Sequence, residues 1–137
     1  MYKDVDEALL KQVADTATAL GCKWSKINKP FDVSNKGELY LSPYILMIDN
    51  EPTAVNSNCT NRYRGILQID IYARGGKGIS KIYSAIDEIK TKFKRGTILT
   101  NNGQSVRLRR IETRAVQSSP DWYKQPIDVT FEAETIN

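Results

Sequence analysis

The chain has 137 residues, enough for one domain and too few for two, with 20 basic against 16 acidic side chains and no histidine. At 40% hydrophobic and 26% charged residues it can bury one ordinary core and stay soluble, and no apolar run approaches the roughly 18–20 residues a bilayer crossing needs. The missing histidine excludes a Ser-His-Asp or Cys-His arrangement and removes the side chain best matched to proton transfer near neutral pH.

The net charge of +4 is spread along the chain, which permits a polyanion partner without arguing for one. Met1-Tyr2-Lys3-Asp4-Val5-Asp6-Glu7 is too acidic and too polar for a signal peptide, so the expected compartment is the cytoplasm. Cys22 and Cys59 form no CxxC pair and are expected to be free thiols rather than zinc ligands. Asn58-Cys59-Thr60 matches a glycosylation sequon, which without a secretory signal reads as a chance match.

Residues 4–20 read as an amphipathic helix: Val5, Ala8, Leu9, Val13, Ala17 and Leu20 recur at helical spacing, with Lys11 and Asp15 opposite. Asp4 or Asp6 suits the N-cap, and Gly21 suits the position just past the end. Residues 23–37 carry Pro30 and no clear period, and are expected to be a connecting loop pinned by Trp24 and Phe31. Residues 38–48 follow as a strand. Tyr40, Tyr44, Leu46 and Ile48 share one parity; Leu39, Leu41, Ile45 and Met47 share the other. With both faces apolar, this strand is either central or covered on its second side by another subunit. Pro43 argues for an edge position or a bulge. Residues 49–61 read as a polar loop, long for a compact domain, with Thr53, Asn56, Asn58 and Asn61 as candidate assembly positions.

Residues 62–74 are the clearest strand, with Leu67, Ile69, Ile71 and Ala73 alternating with Ile66, Gln68, Asp70 and Tyr72. Gly75-Gly76 breaks it, and a second helix runs over 78–94 on a stripe of Ile79, Ile82, Tyr83, Ile86, Ile89 and Phe93, ended by Gly96. Strands at 97–100 and 105–112 flank Asn101-Asn102-Gly103, a tight-hairpin signal. A Ser118-Ser119-Pro120-Asp121 turn, with Trp122 and Tyr123 after it, leads to a last strand at 126–134. There Ile127, Val129, Phe131 and Ala133 alternate with Asp128, Thr130, Glu132 and Glu134. The order predicts an α+β fold: a single mostly antiparallel β-sheet with two main α-helices packed on one side, one domain over residues 1–137.

No motif carries chemistry. The carboxylates fall mostly on helix surfaces and the outer strand parity, where a solvated or cross-strand role is expected. Arg74-Gly75-Gly76-Lys77-Gly78-Ile79-Ser80 joins strand to helix but lacks the GxxxxGK[ST] order of a phosphate loop. Arg64-Gly65 opening a strand is not an RNA-binding signature, because Ile66, Gln68 and Ile71 occupy the stacking positions. The basic cluster of Arg107, Arg109, Arg110 and Arg114 is more informative. Val106 and Leu108 take the core parity, which puts Arg107 and Arg109 outward with Ile111. Two readings stand open: cross-strand ion pairs with Asp128 and Glu132, or a docking face formed with Ile66 and Tyr72. Tyr40 and Tyr44 complete that candidate subunit interface.

The strand Tyr63-Arg64-Gly65-Ile66-Leu67-Gln68-Ile69-Asp70-Ile71-Tyr72, the glycine turn after it and the helix ending in Phe93-Lys94-Arg95-Gly96 form part of a larger pattern. With Ile98-Leu99, Asn101-Asn102-Gly103, Val106 to Ile111 and Pro126-Ile127-Asp128-Val129, the chain resembles the tail-terminator-like proteins of long-tailed bacteriophages and prophages. The resemblance also takes in the leading helix and Phe31. It implies a hexameric ring that caps the growing tail tube at its head-proximal end, stops polymerisation and presents a surface to the head connector. The implied partners are further copies of the chain, the tail-tube protein and the connector, with no cofactor, metal, membrane or specific nucleic acid. The implied location is the host cytoplasm during assembly, then the virion tail. The alternatives are a cytoplasmic small-ligand-binding α/β domain and a nucleic-acid-binding one, the latter marked by steep salt dependence.

Overall fold

The computed structural model describes residues 2–25, 39–52, 60–74, 79–118 and 122–136. Helix α1 (Tyr2–Leu20) is followed by a short strand β1 (Lys23–Trp24), then by the long strands β2 (Leu39–Pro52) and β3 (Thr60–Arg74). Helix α2 (Ile79–Lys92), β4 (Ile98–Asn101), β5 (Gln104–Thr113), β6 (Gln117–Ser118) and β7 (Trp122–Ile136) complete the order. The strands form one sheet in the order β1-β2-β3-β7-β5-β4, with β6 attached to β7. Among the described residues only the β1–β2 pair is parallel. The expected mostly antiparallel α+β architecture is therefore the observed one.

Local sequence explains most element boundaries. Val5, Leu9 and Val13 are fully buried along α1, with Ala8 and Ala17 beside them. The helix stops at Gly21, whose φ of +66° suits a residue without a Cβ. Gly21 N donates to Thr18 O and Cys22 N to Ala17 O, the two bonds of a Schellman cap. The β4–β5 hairpin turns on Asn102 and Gly103 with φ of 50° and 79°, the positive pair a type I′ turn demands. Its tip is tied back to α1: the Asn101 amide donates to Glu7 and the Asn102 amide to Asp4. Because α1 begins at Tyr2, Asp4 lies in the first turn and Asp6 inside the helix, so neither is the N-cap. In α2 the buried positions are Ile82, Ala85 and Ile89, continuing to Phe93, while Tyr83 is 62% exposed. The core stripe thus runs through the small alanine, and the bulky tyrosine expected there faces solvent.

Two expectations about loops are corrected. The segment 23–37 opens with a strand, since Lys23 and Trp24 pair with Tyr40 and Leu41; Phe31 lies outside the described residues. Of the polar loop of 49–61, residues 49–52 and 60–61 are strand, because the β2–β3 ladder continues through Asp49↔Arg64, Asn50↔Tyr63, Glu51↔Arg62 and Pro52↔Asn61. Polarity there marks a ladder that outruns the core rather than a loop. Thr53, Asn56 and Asn58 lie outside the described residues.

One apolar cluster joins both helices to alternate positions of the strands: Leu67, Ile69 and Ile71 of β3, Val106 and Leu108 of β5, Ile127, Val129 and Phe131 of β7. Each fully buried large side chain contributes roughly 1.5–3 kcal/mol. Gln12 Nε2 donates to Lys92 O at 2.7 Å, linking α1 to the end of α2. Tyr63 packs edge-on to Phe131 at 5.6 Å. Beneath these rings a Cβ on Gly65 would stand 2.6 Å from Leu46 O and 2.7 Å from Phe131 Cζ, so only glycine lets β3 approach both neighbours.

Two variants test this packing. Gly65→Ala should destabilise the chain by about 1–3 kcal/mol through overpacking, read as a lower urea midpoint at unchanged slope. Asp6, hydrogen-bonded to Tyr63, has its carboxyl raised above the ordinary 3.8, with burial the cause and the tyrosine bond opposing it. The fold therefore prefers the protonated form: its stabilisation is complete below pH 3.8 and lost as pH rises through the raised folded value. Asp6→Asn should accordingly be more stable than the parent at pH 7, and that difference should shrink toward pH 4 in paired denaturation curves.

A candidate assembly surface

The second face of the sheet is built by strand register. Tyr40, Tyr72 and Lys124 lie in one cross-strand row; Ser42, Asp70 and Pro126 in the next; Tyr44, Gln68 and Asp128 in a third; Leu46, Ile66 and Thr130 in a fourth. The first two rows are closed. Tyr40 and Tyr72 stack at 4.6 Å with their planes 4° apart, and Trp122 stands edge-on to Tyr40 at 5.4 Å. Arg74 lies 5.0 Å over the Trp122 ring. Asp70 is buried beneath them, accepting from Gln68 Nε2 at 3.0 Å and facing Lys124 Nζ at 3.5 Å. Ser25 donates to Ser42, and Ser42 to the Tyr44 hydroxyl.

The electrostatics of this plate hold its groups in their ordinary charge states. Burial pushes the Tyr40 phenol up to about 12, with Tyr44 and Asp70 adding to it. Burial also raises Tyr72, against the pull of Lys124. For Lys124 burial opposes the charge, but Asp70 and Tyr72 outweigh it and the ammonium is held more firmly. A protonated phenol and a paired ammonium offer neither base nor nucleophile near neutral pH. Burial likewise pushes the Cys22 thiol up to about 11, which makes it inert. Among the described residues there is no group of three or more potential metal ligands, and no helix is long and apolar enough to cross a membrane.

Toward β5 the face becomes ionic. Glu132 lies between Arg62 at 3.7 Å and Arg109 at 4.0 Å, and Arg107 is its register partner on β5. Asp128 is buried and pairs with Arg114 at 2.6 Å rather than with Arg107 or Arg109. Arg110 pairs with Glu112. Ile111 requires a correction: a bulge between Leu108 and Arg110 reverses the parity of β5, so Ile111 stands opposite Val129 and packs against the core. Arg109 and Arg110 are therefore consecutive exposed residues.

The fourth row and the strand beyond it are open. Tyr44, Leu46, Met47 and Ile48 are 47%, 53%, 57% and 61% exposed. A bulge between Met47 and Asp49 sets Met47 and Ile48 outward in succession. The proposed interface positions thus divide: Tyr40 and Asp128 are buried within the chain, Tyr72, Ile66 and Glu132 are half-buried, and Tyr44, Arg107 and Arg109 are exposed. Asn61 belongs to β3. Sequence reasoning omitted Met47 and Ile48 from the candidate surface, although the unbroken apolar run Tyr44-Ile45-Leu46-Met47-Ile48 was its signal. Asp70, Trp122 and Lys124 carried no such signal, because only register brings them together.

Comparison with known proteins follows from this geometry. No curated protein matches the chain. Among solved structures, a protein known by a serial designation alone superposes with a TM-score of 0.79 at 19% identity, over 97% of this chain and 95% of that one. A chain from the virion of a native gene transfer agent particle superposes at 0.52 and 13% identity, over 99% and 97%. These likenesses concern the fold. The profile of the phage tail terminator proteins matches residues 4–131, nearly the whole sequence, and the chain belongs to that family.

Proposed function

We propose that this phage tail structural protein acts as one domain in a ring of like subunits, hexameric by the family resemblance, that caps the head-proximal end of the tail tube. In this reading the ring stops tube polymerisation and offers part of the surface on which the head connector sits. Assembly takes place in the host cytoplasm, with the tail-tube protein and the connector as partners, and no catalytic step is involved. The apolar cluster that joins both helices to the sheet uses one set of alternate strand positions, and in this reading the other set is left for neighbours.

One observation carries the proposal beyond family membership: the open apolar segment from Tyr44 to Ile48 on a strand that outruns its cover. An exposed apolar edge of this kind is a liability in a lone soluble chain and an asset in an assembling one. A nucleic-acid role is less well supported, since Arg109, Arg110 and Arg114 each face a carboxylate of the same chain.

Electron micrographs of purified protein, alone and mixed with tail-tube protein, test the reading. Rings in solution or on tube ends are expected; a monomer that also ignores tube ends would overturn it. Changing Arg107 and Arg109 together to Glu crowds acids around Glu132 and should impair ring formation, while altering folding stability by about 1 kcal/mol or less, as exposed pairs do. Tight duplex DNA binding by the parent at physiological salt, lost in that double variant, would favour the nucleic-acid reading instead.

A further inference from the structure

We propose that the small recess between the turn after α2 and strand β5 binds a compact oxyanion of the phosphate class, held by Arg95, Arg107 and Arg109. The inference goes beyond the tail reading and does not rest on it, since it uses only the charge and geometry of one subunit.

Local structure brings the three guanidiniums together. After Phe93 the chain turns at Gly96, whose φ of +87° lies in the region that favours glycine. Gly96 N donates to Leu108 O at 2.8 Å, and Leu108 N donates to Thr97 O at 2.9 Å. These two bonds clamp the turn against β5 at a buried leucine. Arg95 precedes the clamp by one residue, and Arg107 and Arg109 flank it on β5. Leu108 faces the core, so its neighbours along the strand face away, and both are exposed. The recess measures about 230 Å³ and is lined by Arg95, Gly96, Ile98, Arg107, Leu108 and Arg109. None of these described lining residues is a carboxylate.

The positive charge there is not balanced within the subunit. Arg109 lies 4.0 Å from Glu132, but Glu132 also faces Arg62 at 3.7 Å. Among the described residues Arg95 and Arg107 form no ion pair, whereas Arg110 and Arg114 are paired with Glu112 and Asp128. Three like charges around one recess repel one another. An oxyanion set between them relieves that repulsion and offers acceptors to the guanidinium forks. Nearby acids limit the size of the occupant. Glu132 and Glu134 line the larger adjoining recess, which shares Ile98 and Arg107 with this one. A long polyanion laid across both recesses would meet those carboxylates, whereas a single phosphate stays beside the arginines.

Inorganic phosphate titrated into the isotope-labelled chain at constant ionic strength tests the site by NMR. Amide shifts at Arg95, Gly96, Arg107, Leu108 and Arg109 should saturate, and sulfate should compete where chloride does not. Arg95→Gln and Arg107→Gln should each weaken binding about tenfold, as loss of one charge-assisted contact does. Arg110→Gln removes the same charge from a paired arginine on the same strand, and should leave binding nearly unchanged. Equal weakening by Arg110→Gln, or shifts that never saturate, would show diffuse attraction alone and overturn the site. A short DNA duplex that binds more tightly than phosphate through the same arginines would overturn the compact ligand in favour of a polyanion. Circular dichroism of the three variants without phosphate separates lost binding from lost folding. No arm reads ring formation or tube capping, so the site and the tail reading can fail independently.

Discussion

The ladder between β3 and β7 is the interaction on which the other parts lean. It runs from Thr60↔Ile136 to Arg74↔Trp122 without a register shift, and sets the last strand between the hairpin of β2 and β3 and that of β4 and β5. Remove it and two separate hairpins remain, each with an unpaired edge. The apolar cluster that joins the helices to the sheet also depends on it, because Leu67 meets Val129 and Ile69 meets Ile127 only when this register holds. Gly65 is the local expression of the same constraint. Its missing side chain admits Phe131 from one neighbour and the Leu46 carbonyl from the other.

Much of this was legible in the chain. Strict alternation at Ile127, Val129, Phe131 and Ala133 identified a one-sided strand, and all four are buried. Gly21 and the Asn102-Gly103 pair marked a helix end and a tight hairpin through backbone preferences that act within a few residues. Features that need a partner strand were not legible. A bulge moves one residue out of register, and no composition signal announces it. For that reason Ile111 was assigned to the wrong face, and the consecutive exposure of Met47 and Ile48 was missed. The polar stretch at one end of the β2–β3 ladder reads as loop because strands that extend past a core lose their apolar alternation, not their pairing. Tyr83 follows the same logic: helical spacing admitted it, but the neighbouring Ala85 fits the close approach to the sheet and takes the core position.

The second face of the sheet has two characters along its length. At the Tyr40 end, stacked rings and the Asp70–Lys124 pair are satisfied within the chain, so little is gained by covering them again. At the Leu46 end the side chains remain open and the backbone lacks a second neighbour among the described residues. A stiff, self-satisfied plate beside an unsatisfied edge holds that edge in a fixed orientation. Pre-ordering of this kind lowers the entropy lost when a contact forms.

The central place of β7 also bears on how the chain comes to be folded. β7 follows every other element in sequence, yet it is the strand that β3 and β5 both require. Its partners on β3 lie about half the chain away, so contact order is high and collapse into the finished sheet is slow. During translation the two hairpins must wait, with β3 and β5 presenting open edges, until residues 122–136 leave the ribosome. The complete sheet edges that could recruit a neighbour become properly spaced only after this final strand is inserted. Synthesis itself therefore imposes a timing on the chain: the sheet is complete only once this late strand has been inserted.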